Sequence, residues 1–185
     1  MDDHSVNIFN TPIWGYTLSN EKYQAQDYLS VIEELHIKES SVSKSNSNGA
    51  WQSRDNLHEM PIFREFVTNM LLNYIGAGIL KDYNINKFNI QSMWANVNGK
   101  HSFNYHHTHE GYLSGVFYLK VPKDSGRLIF TNPNIRSQSH PIRSPNYPIN
   151  PTPLACIVFP SWLEHYVEPN MSDDTRISLS FNIGE

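Results

Sequence analysis

The spacing of hydrophobic positions differs between the two halves of the chain. Residues 21–37 carry apolar side chains at intervals of three and four, which predicts an amphipathic helix. Residues 61–75 repeat this spacing, with Pro61 suited to the first helical turn and Gly76 to the end of the helix. The apolar stripe of this second predicted helix consists of Phe63, Phe66, Val67, Met70, Leu71 and Tyr74.

After residue 84 the pattern changes to short alternating or continuous apolar runs, which are typical of β-strands. One further strand, over residues 6–18, precedes the helices. The later strands are predicted over residues 88–98, 113–121, 126–130, 155–159, 165–168 and 176–182. Short successive strands with hairpin-like links indicate a mainly β fold with flanking helices (α+β), a double-stranded β-helix or jelly roll.

The length of 185 residues fits one domain with a proper hydrophobic core. We expect a helical support region over residues 1–87 and the jelly-roll core over residues 88–183. Residues 38–49 are rich in Ser, Asn and Lys and predict a surface linker. Residues 132–153 are rich in proline, which excludes a regular helix there and predicts a long loop.

Charge and composition exclude several classes of protein. The net charge is −4, and both signs are scattered without the basic stripe of a nucleic-acid binder, so a nucleic-acid substrate is disfavoured. The apolar runs are too short to span a bilayer, and the acidic start at Asp2 and Asp3 lacks the features of a secretory signal. The single Cys156 lies in an apolar run and is interpreted as a small buried hydrophobe. These features predict a cytoplasmic protein.

Three histidines lie close together in the segment 104–110. On a strand, side chains at positions i and i+2 point to one face, so His107 and His109 would converge while Thr108 faces away. Two imidazoles on one face form half of a site for a divalent transition metal. His165, at the mouth of a later strand, is the candidate for the other half.

The final predicted strand begins with Arg176 and Ser178, which share a face because they are two residues apart. A guanidinium beside a hydroxyl forms a receptor for a carboxylate, since the planar fork donates two parallel charge-assisted hydrogen bonds. The sequence thus combines a three-ligand metal site with an anion clamp. Three protein ligands would leave coordination positions open for a chelating substrate and dioxygen.

The strings HTH, LSGVFYL, FPSWLEH and RISLSFN resemble the small 2-oxoglutarate- and iron(II)-dependent oxygenases of bacteria and phages. The resemblance covers about residues 90–183 and includes the spacing from the distal histidine to the arginine. It implies a dioxygenase that hydroxylates its substrate, in a bacterial or phage-infected cell. It also implies that His107 and His165 bind Fe(II), and that Arg176 and Ser178 hold the distal carboxylate of 2-oxoglutarate, with Tyr118 within reach of this co-substrate.

The chain departs from the family pattern two residues after the first histidine, where the family has Asp or Glu and this chain has His109. We consider three interpretations of this difference. His109 is the third ligand in the first, which fits regular strand geometry. In the second, a local bulge brings Glu110 to the metal. In the third, only two histidines bind and the position stays open, as in halogenating members of the family.

Two other functions fit parts of the pattern. A cupin-type dioxygenase with three histidines and no 2-oxoglutarate would explain the histidines but not Arg176 and Ser178. A metal-free jelly-roll binding module would explain the strands alone. The primary substrate, a small molecule or a protein, is not readable because its contacts lie on loops, and the sequence leaves a homodimer open.

Overall fold

Two antiparallel β-sheets form the centre of the computed structural model. The structure describes residues 10–18, 25–42, 47–134, 136 and 144–185. The strands within these ranges are β1 Trp14–Thr17, β2 Ser47–Asn48, β3 Trp51–Gln52, β4 Asn89–Asn98, β5 Phe103–His107, β6 Leu113–Lys120, β7 Leu128–Thr131, β8 Asn146–Ile149, β9 Ala155–Pro160, β10 His165–Val167 and β11 Arg176–Gly184.

Helical elements lie between the early strands. Helix α1 spans Ala25–Lys38, a π-helix spans Phe66–Gly76, and the short helix α2, Ala77–Leu80, continues directly from it. Single 3-10 turns cover Leu57–Glu59, Pro61–Phe63 and Lys81–Tyr83. Among the residues described, none of the helices is both long enough and apolar enough to cross a bilayer.

The strand order defines a jelly roll. One sheet has six strands in the order β1-β9-β6-β11-β4-β3, and the other has five in the order β2-β5-β10-β7-β8. The ladders of both sheets are antiparallel. The predicted fold, mainly β with flanking helices and a double-stranded β-helix, is confirmed.

Strand β11 lies in the middle of the larger sheet and separates two environments. Leu179 and Phe181 are buried in the core that this sheet forms with the helices. Alternate residues, Arg176, Ser178 and Ser180, line a cavity between the two sheets. Because strand side chains alternate between faces, one strand supplies both the apolar core and the polar cavity wall.

Helix packing is tight against the outer face of the larger sheet. Phe66 of the π-helix stacks on Phe117 of β6, with ring centroids 5.1 Å apart. Gly115 of β6 lies opposite Phe181 of β11, and any Cβ at this glycine would collide with that ring. Cys156 is fully buried in the same core, as its apolar surroundings in the sequence predict.

The second predicted helix differs from its expected form. It does not end at Gly76 but continues to Leu80, and its middle part is a π-helix. Hydrogen bonds from i to i+5 widen the turn, so the apolar face follows five-residue steps such as that from Met70 to Ile75. Tyr74, predicted to be in the stripe, is therefore 62% exposed, while Ile75 is fully buried.

The first half of the chain adds strands as well as helices. β1 pairs with β9 in the larger sheet, β3 pairs with β4, and β2 pairs with β5 in the smaller sheet. The expected strand over residues 6–18 corresponds to β1, with residues 6–9 outside the described part. The helix expected over residues 21–37 is α1, and residues 19–24 also lie outside the described part of the chain.

The proline-rich stretch 132–153 is not the continuous loop that its composition predicts, because it contains β8. Pro148 lacks an amide hydrogen and is tolerated because β8 is the edge strand of its sheet, paired only with β7. Residues 135 and 137–143 of this stretch lie outside the described residues.

Candidate functional site

Two of the candidate histidines face each other across a strand pair. His107 is the last residue of β5, His165 is the first residue of β10, and the two are register partners. Their ring centroids are 4.3 Å apart. The pairing of β5 with β10 therefore brings together two residues that are far apart in the sequence.

The third histidine reaches the same place from outside a strand. β5 ends at His107, so the expected regular strand through His109 is wrong. Instead, the amide of His109 donates a hydrogen bond of 2.9 Å to the carbonyl oxygen of Ser161, which fixes the chain after the strand. The ring of His109 lies 4.9 Å from that of His107 and 5.2 Å from that of His165, while Thr108 is exposed.

These three side chains form a compact group. One ring nitrogen from each of His107, His109 and His165 lies within 4.8 Å of the others. Glu110 is exposed and is not part of the group, and His106 is exposed and stacks on Tyr166.

Backbone hydrogen bonds select the tautomers of two of the rings. Nδ1 of His107 lies 2.7 Å from the carbonyl oxygen of Tyr105, and Nδ1 of His165 lies 2.9 Å from that of Leu163. A carbonyl oxygen can only accept, so both Nδ1 atoms carry the hydrogen and both Nε2 atoms keep a free lone pair. Metal-binding histidines commonly have this arrangement, in which one ring nitrogen donates to a backbone carbonyl and the other is free to bind the metal.

Burial keeps the group uncharged. Desolvation lowers the pKa of His165 to about 3 and that of His109 to about 4, and the neighbouring His107 contributes to both shifts. Burial also lowers the pKa of His107. At neutral pH the site therefore presents three neutral imidazoles, the form that binds a metal. This donor set fits iron(II) as well as zinc, copper or nickel.

Arg176 lies on the wall of the same cavity and is 3% exposed. Its Nη1 donates to the carbonyl oxygens of Ser125 at 2.8 Å and Gly126 at 3.2 Å. Its Nε is buried without a hydrogen-bond partner, and no carboxylate of the described residues forms an ion pair with it. A buried charge without a counter-ion is costly, which indicates that the cavity receives an anion.

The turn that anchors Arg176 needs a glycine. Gly126 has φ +83°, and a Cβ there would collide with the carbonyl oxygen of Glu168. The carbonyls of this turn hold the guanidinium in place without neutralising it. The adjacent Arg127 forms a bidentate ion pair with Glu168 and does not line this cavity.

Two hydroxyl groups complete the predicted anion clamp. Ser178 is two residues after Arg176 on β11, and Tyr118 is its register partner on β6. Both line the cavity. Burial raises the pKa of Tyr118 to about 12, against an opposing effect of the nearby Arg176, so the phenol stays protonated and can donate.

The structure thus brings all six predicted site residues to one cavity between the sheets. Sequence reasoning missed the contribution of β4, whose alternate residues Trp94, Asn96 and Asn98 line the same cavity. The ring of Trp94 lies 5.7 Å from that of His109. Alternation along residues 88–98 was the available signal, but it did not show which face of the strand meets the cavity.

The structure is thus a jelly roll whose cavity holds three converging imidazoles and a buried guanidinium with no carboxylate partner among the described residues. This arrangement could accommodate a metal ion and an anion between the two sheets. Comparison with known proteins then gives the family. The family model described as "Putative 2OG-Fe(II) oxygenase" matches residues 92–182, which include all six predicted site residues. Residues 92–182 therefore match the 2OG-Fe(II) oxygenase family, as the sequence resemblance predicted.

Solved structures of this kind share the fold at low sequence identity. A prolyl-4-hydroxylase from Pseudomonas putida is 14% identical, with a TM-score of 0.68 and coverage of 93% of this chain and 92% of that chain. The non-heme α-ketoglutarate-dependent epimerase SnoN from nogalamycin biosynthesis is 14% identical, with a TM-score of 0.73 and coverage of 95% and 77%.

A third similar structure is viral. The collagen prolyl hydroxylase of Paramecium bursaria Chlorella virus-1, in its complex with 2OG, is 16% identical, with a TM-score of 0.59 and coverage of 92% of this chain and 94% of that chain. A comparison with curated protein sequences gives no match. The structural similarities establish the double-stranded β-helix, and the family is one of oxidoreductases.

Proposed function

We propose that this protein is an Fe(II)- and 2-oxoglutarate-dependent dioxygenase that hydroxylates a second, unidentified substrate. The observation that carries the proposal is the shared cavity of a neutral three-histidine group and a buried Arg176 that has no carboxylate partner among the described residues and an unsatisfied Nε. The histidines fit a divalent metal and the guanidinium fits a carboxylate, so one ligand with a chelating end and an anionic end would satisfy both.

His107, His109 and His165 would hold the metal through one ring nitrogen each. The backbone hydrogen bonds of His107 and His165 orient these rings before the metal arrives. When bound, iron(II) and 2-oxoglutarate supply the oxidising chemistry, in which 2-oxoglutarate, dioxygen and a C–H group give succinate, carbon dioxide and an alcohol. With three neutral ligands, the site is one unit more positive than a site with a carboxylate ligand.

Arg176, Ser178 and Tyr118 would hold the distal carboxylate of 2-oxoglutarate. The unpaired Nε of Arg176 and the protonated phenol of Tyr118 are donors, and the hydroxyl of Ser178 lies on the same face. Hydrogen bonds to a charged acceptor are strong in a cavity that excludes water. These residues would therefore orient the co-substrate, with its keto-acid end toward the histidines.

A cupin-type dioxygenase without 2-oxoglutarate is the second candidate. It is favoured by one observation, the lack of any carboxylate in the three-histidine group. This alternative provides no anion to bind the buried guanidinium of Arg176, and for this reason we rank the cupin-type dioxygenase second.

The proposal is tested by anaerobic titration of the protein with Fe(II), with and without 2-oxoglutarate, followed by visible absorption. We expect the weak charge-transfer band of an iron–keto-acid chelate only when both are present. His165→Ala should abolish the band. His106→Ala is the matched control, because His106 belongs to the same sequence cluster but is exposed and lies outside the group.

Each outcome separates the candidates. Iron binding without the band, whatever the 2-oxoglutarate concentration, would favour the cupin-type enzyme. If the protein binds neither iron nor 2-oxoglutarate, the metal-free jelly-roll binding module is the remaining candidate function. Loss of the band in His106→Ala together with retention in His165→Ala would show that the ligands are assigned incorrectly.

A further inference from the structure

Asn98 is a second cavity residue with an unpaired buried donor. It is the last residue of β4 and the register partner of Arg176 on β11. It is 1% exposed and lines the cavity, yet its side-chain Nδ2 is buried without a hydrogen-bond partner among the residues that the structure describes. Its main chain is well fixed, because its carbonyl oxygen accepts a hydrogen bond of 2.9 Å from Nδ2 of Asn170.

An unpaired buried amide needs a physical explanation. Leaving such a donor unsatisfied costs about 1–3 kcal/mol, and most buried side-chain polar atoms in folded proteins have a partner. Here the unpaired Nδ2 of Asn98 and the unpaired Nε of Arg176 belong to residues directly opposite each other on neighbouring strands. Side chains in such positions start from Cβ atoms only about 4.5–5.5 Å apart. Unsatisfied donors on two directly opposite residues are explained by one acceptor that both contact.

We propose that Asn98 is a fourth residue of the carboxylate clamp, beside Arg176, Ser178 and Tyr118, and donates its Nδ2 to the anion that Arg176 binds. This inference rests on the proposed function, in which that anion is the distal carboxylate of 2-oxoglutarate. A carboxylate has two oxygens and about four acceptor positions, so it can accept from Arg176, Asn98 and a hydroxyl group at once.

An amide suits this position better than an acid or a base. Asn98 is neutral, so it leaves the positive charge of Arg176 available for the ligand. An acid at this position would form an ion pair with the guanidinium and compete with the ligand. Because Asn98 fixes only the distal end, its effect depends on whether the ligand carries a distal carboxylate.

The test is anaerobic calorimetry of ligand binding to the Fe(II)-loaded protein, with Asn98→Leu and Asn98→Ala compared with the wild type. Two ligands are used, 2-oxoglutarate and 2-oxobutanoate, a keto acid without a distal carboxylate. We expect both variants to bind 2-oxoglutarate about 10- to 100-fold more weakly, as for loss of a hydrogen bond to a charged group. Binding of 2-oxobutanoate should stay unchanged.

Asn182→Leu is the matched control. Asn182 lies on the same strand as Arg176 and its amide is already satisfied, with Nδ2 donating to Ser92 and Oδ1 accepting from Ser114. It should lose stability but keep its affinity for 2-oxoglutarate. The iron affinity and melting temperature of each variant show whether it is folded, and Asn98→Ala serves if Asn98→Leu is too large for the site.

Unchanged affinity for 2-oxoglutarate in folded Asn98 variants would overturn the assignment, as would an equal loss for both keto acids. A wild-type protein that binds iron but neither keto acid would instead overturn the proposed function. The two failures are therefore distinguishable.

Discussion

At the scale of single residues, the site depends on which side chains are charged inside the cavity. Burial keeps three imidazoles neutral, while Arg176 keeps its charge with only neutral carbonyl oxygens as partners. The positive charge of a metal and that of Arg176 would then both be available to a dianionic ligand.

The first prediction concerns His109, the position where this chain departs from the family pattern. If His109 is a ligand, His109→Ala should weaken Fe(II) binding by at least about 10- to 100-fold. This is the loss expected when a residue that only hydrogen-bonds to a metal ligand is removed, and loss of a ligand itself should cost no less. His109→Asp should retain binding, because it restores a carboxylate ligand. Anaerobic Fe(II) titration measures both. Unchanged affinity in His109→Ala would mean that only two histidines bind and the position is open.

The second concerns the anion clamp. Arg176→Ala should raise the 2-oxoglutarate concentration needed for half-maximal binding by about 100-fold or more, because it removes a desolvated charge. Its affinity for Fe(II) should change little, since Arg176 is not in the histidine group. Separate titrations of metal and co-substrate measure the two effects. Equal loss of both affinities would contradict the clamp assignment.

The third is a pH dependence of stability. The pKa of His165 is about 3 in the folded protein and 6.5 by reference, so the unfolded chain binds more protons between these values. The contribution of His165 to the free energy of unfolding is therefore fully present above pH 6.5, and it is lost as the pH falls below this value. Between pH 7 and pH 5, His165 should account for a loss of about 2 kcal/mol in the metal-free protein.

Urea unfolding of the chelator-treated protein at the two pH values measures this loss. His165→Gln should show a smaller difference between pH 7 and pH 5 than the wild type. An equal difference in both proteins would mean that His165 is protonated in the folded state at pH 5.

At the scale of elements, strand alternation and strand ends position the functional groups. β11 places Arg176 and Ser178 on the cavity face because they are two residues apart, and this was predictable from the sequence. The end of β5 at His107 was not predictable, since it depends on pairing with β10. His109 reaches the site through its bond to Ser161 rather than through strand geometry.

The π-helix gives a test at this scale. Ile75→Ala should destabilise the protein by about 2–5 kcal/mol, because Ile75 is fully buried. Tyr74→Ala should cost no more than about 1 kcal/mol, since Tyr74 is exposed and its ring meets that of Tyr16 edge-on. Chemical denaturation compares the two neighbours. The reverse order would mean that the helix has α-helical register.

At the scale of the whole molecule, the metal would join two strands of the smaller sheet, β5 and β10, to the segment that follows β5. A ligand that binds only the folded state stabilises it by RT ln(1 + [L]/Kd), which is about 2.7 kcal/mol at one hundred times Kd. Fe(II) should therefore raise the anaerobic melting temperature, and 2-oxoglutarate should raise it further. Differential scanning fluorimetry measures both steps.

The order of addition provides the control for this prediction. The further increase with 2-oxoglutarate should need the metal, because the keto-acid end would have no partner without it. His165→Ala should show neither increase. An increase with 2-oxoglutarate that is equal in the absence of metal would mean that the anion binds independently of the histidine group.

The sequence by itself determined the features that depend on local spacing. These are the mainly β jelly roll after two helical segments, the identity of the candidate ligands, and the shared face of Arg176 and Ser178. Each rests on a periodicity of two or about 3.6 residues, which side-chain geometry imposes on any chain. The family resemblance added the role expected for each residue.

Only the tertiary structure decided which distant residues meet. The pairing of β5 with β10 aligns His107 with His165, and the pairing of β4 with β11 places Asn98 opposite Arg176. Local spacing contains no information about strand partners, because register follows from the burial of whole sheets. For the same reason, no local pattern shows that the charge of Arg176 lies unpaired beside three neutral imidazoles.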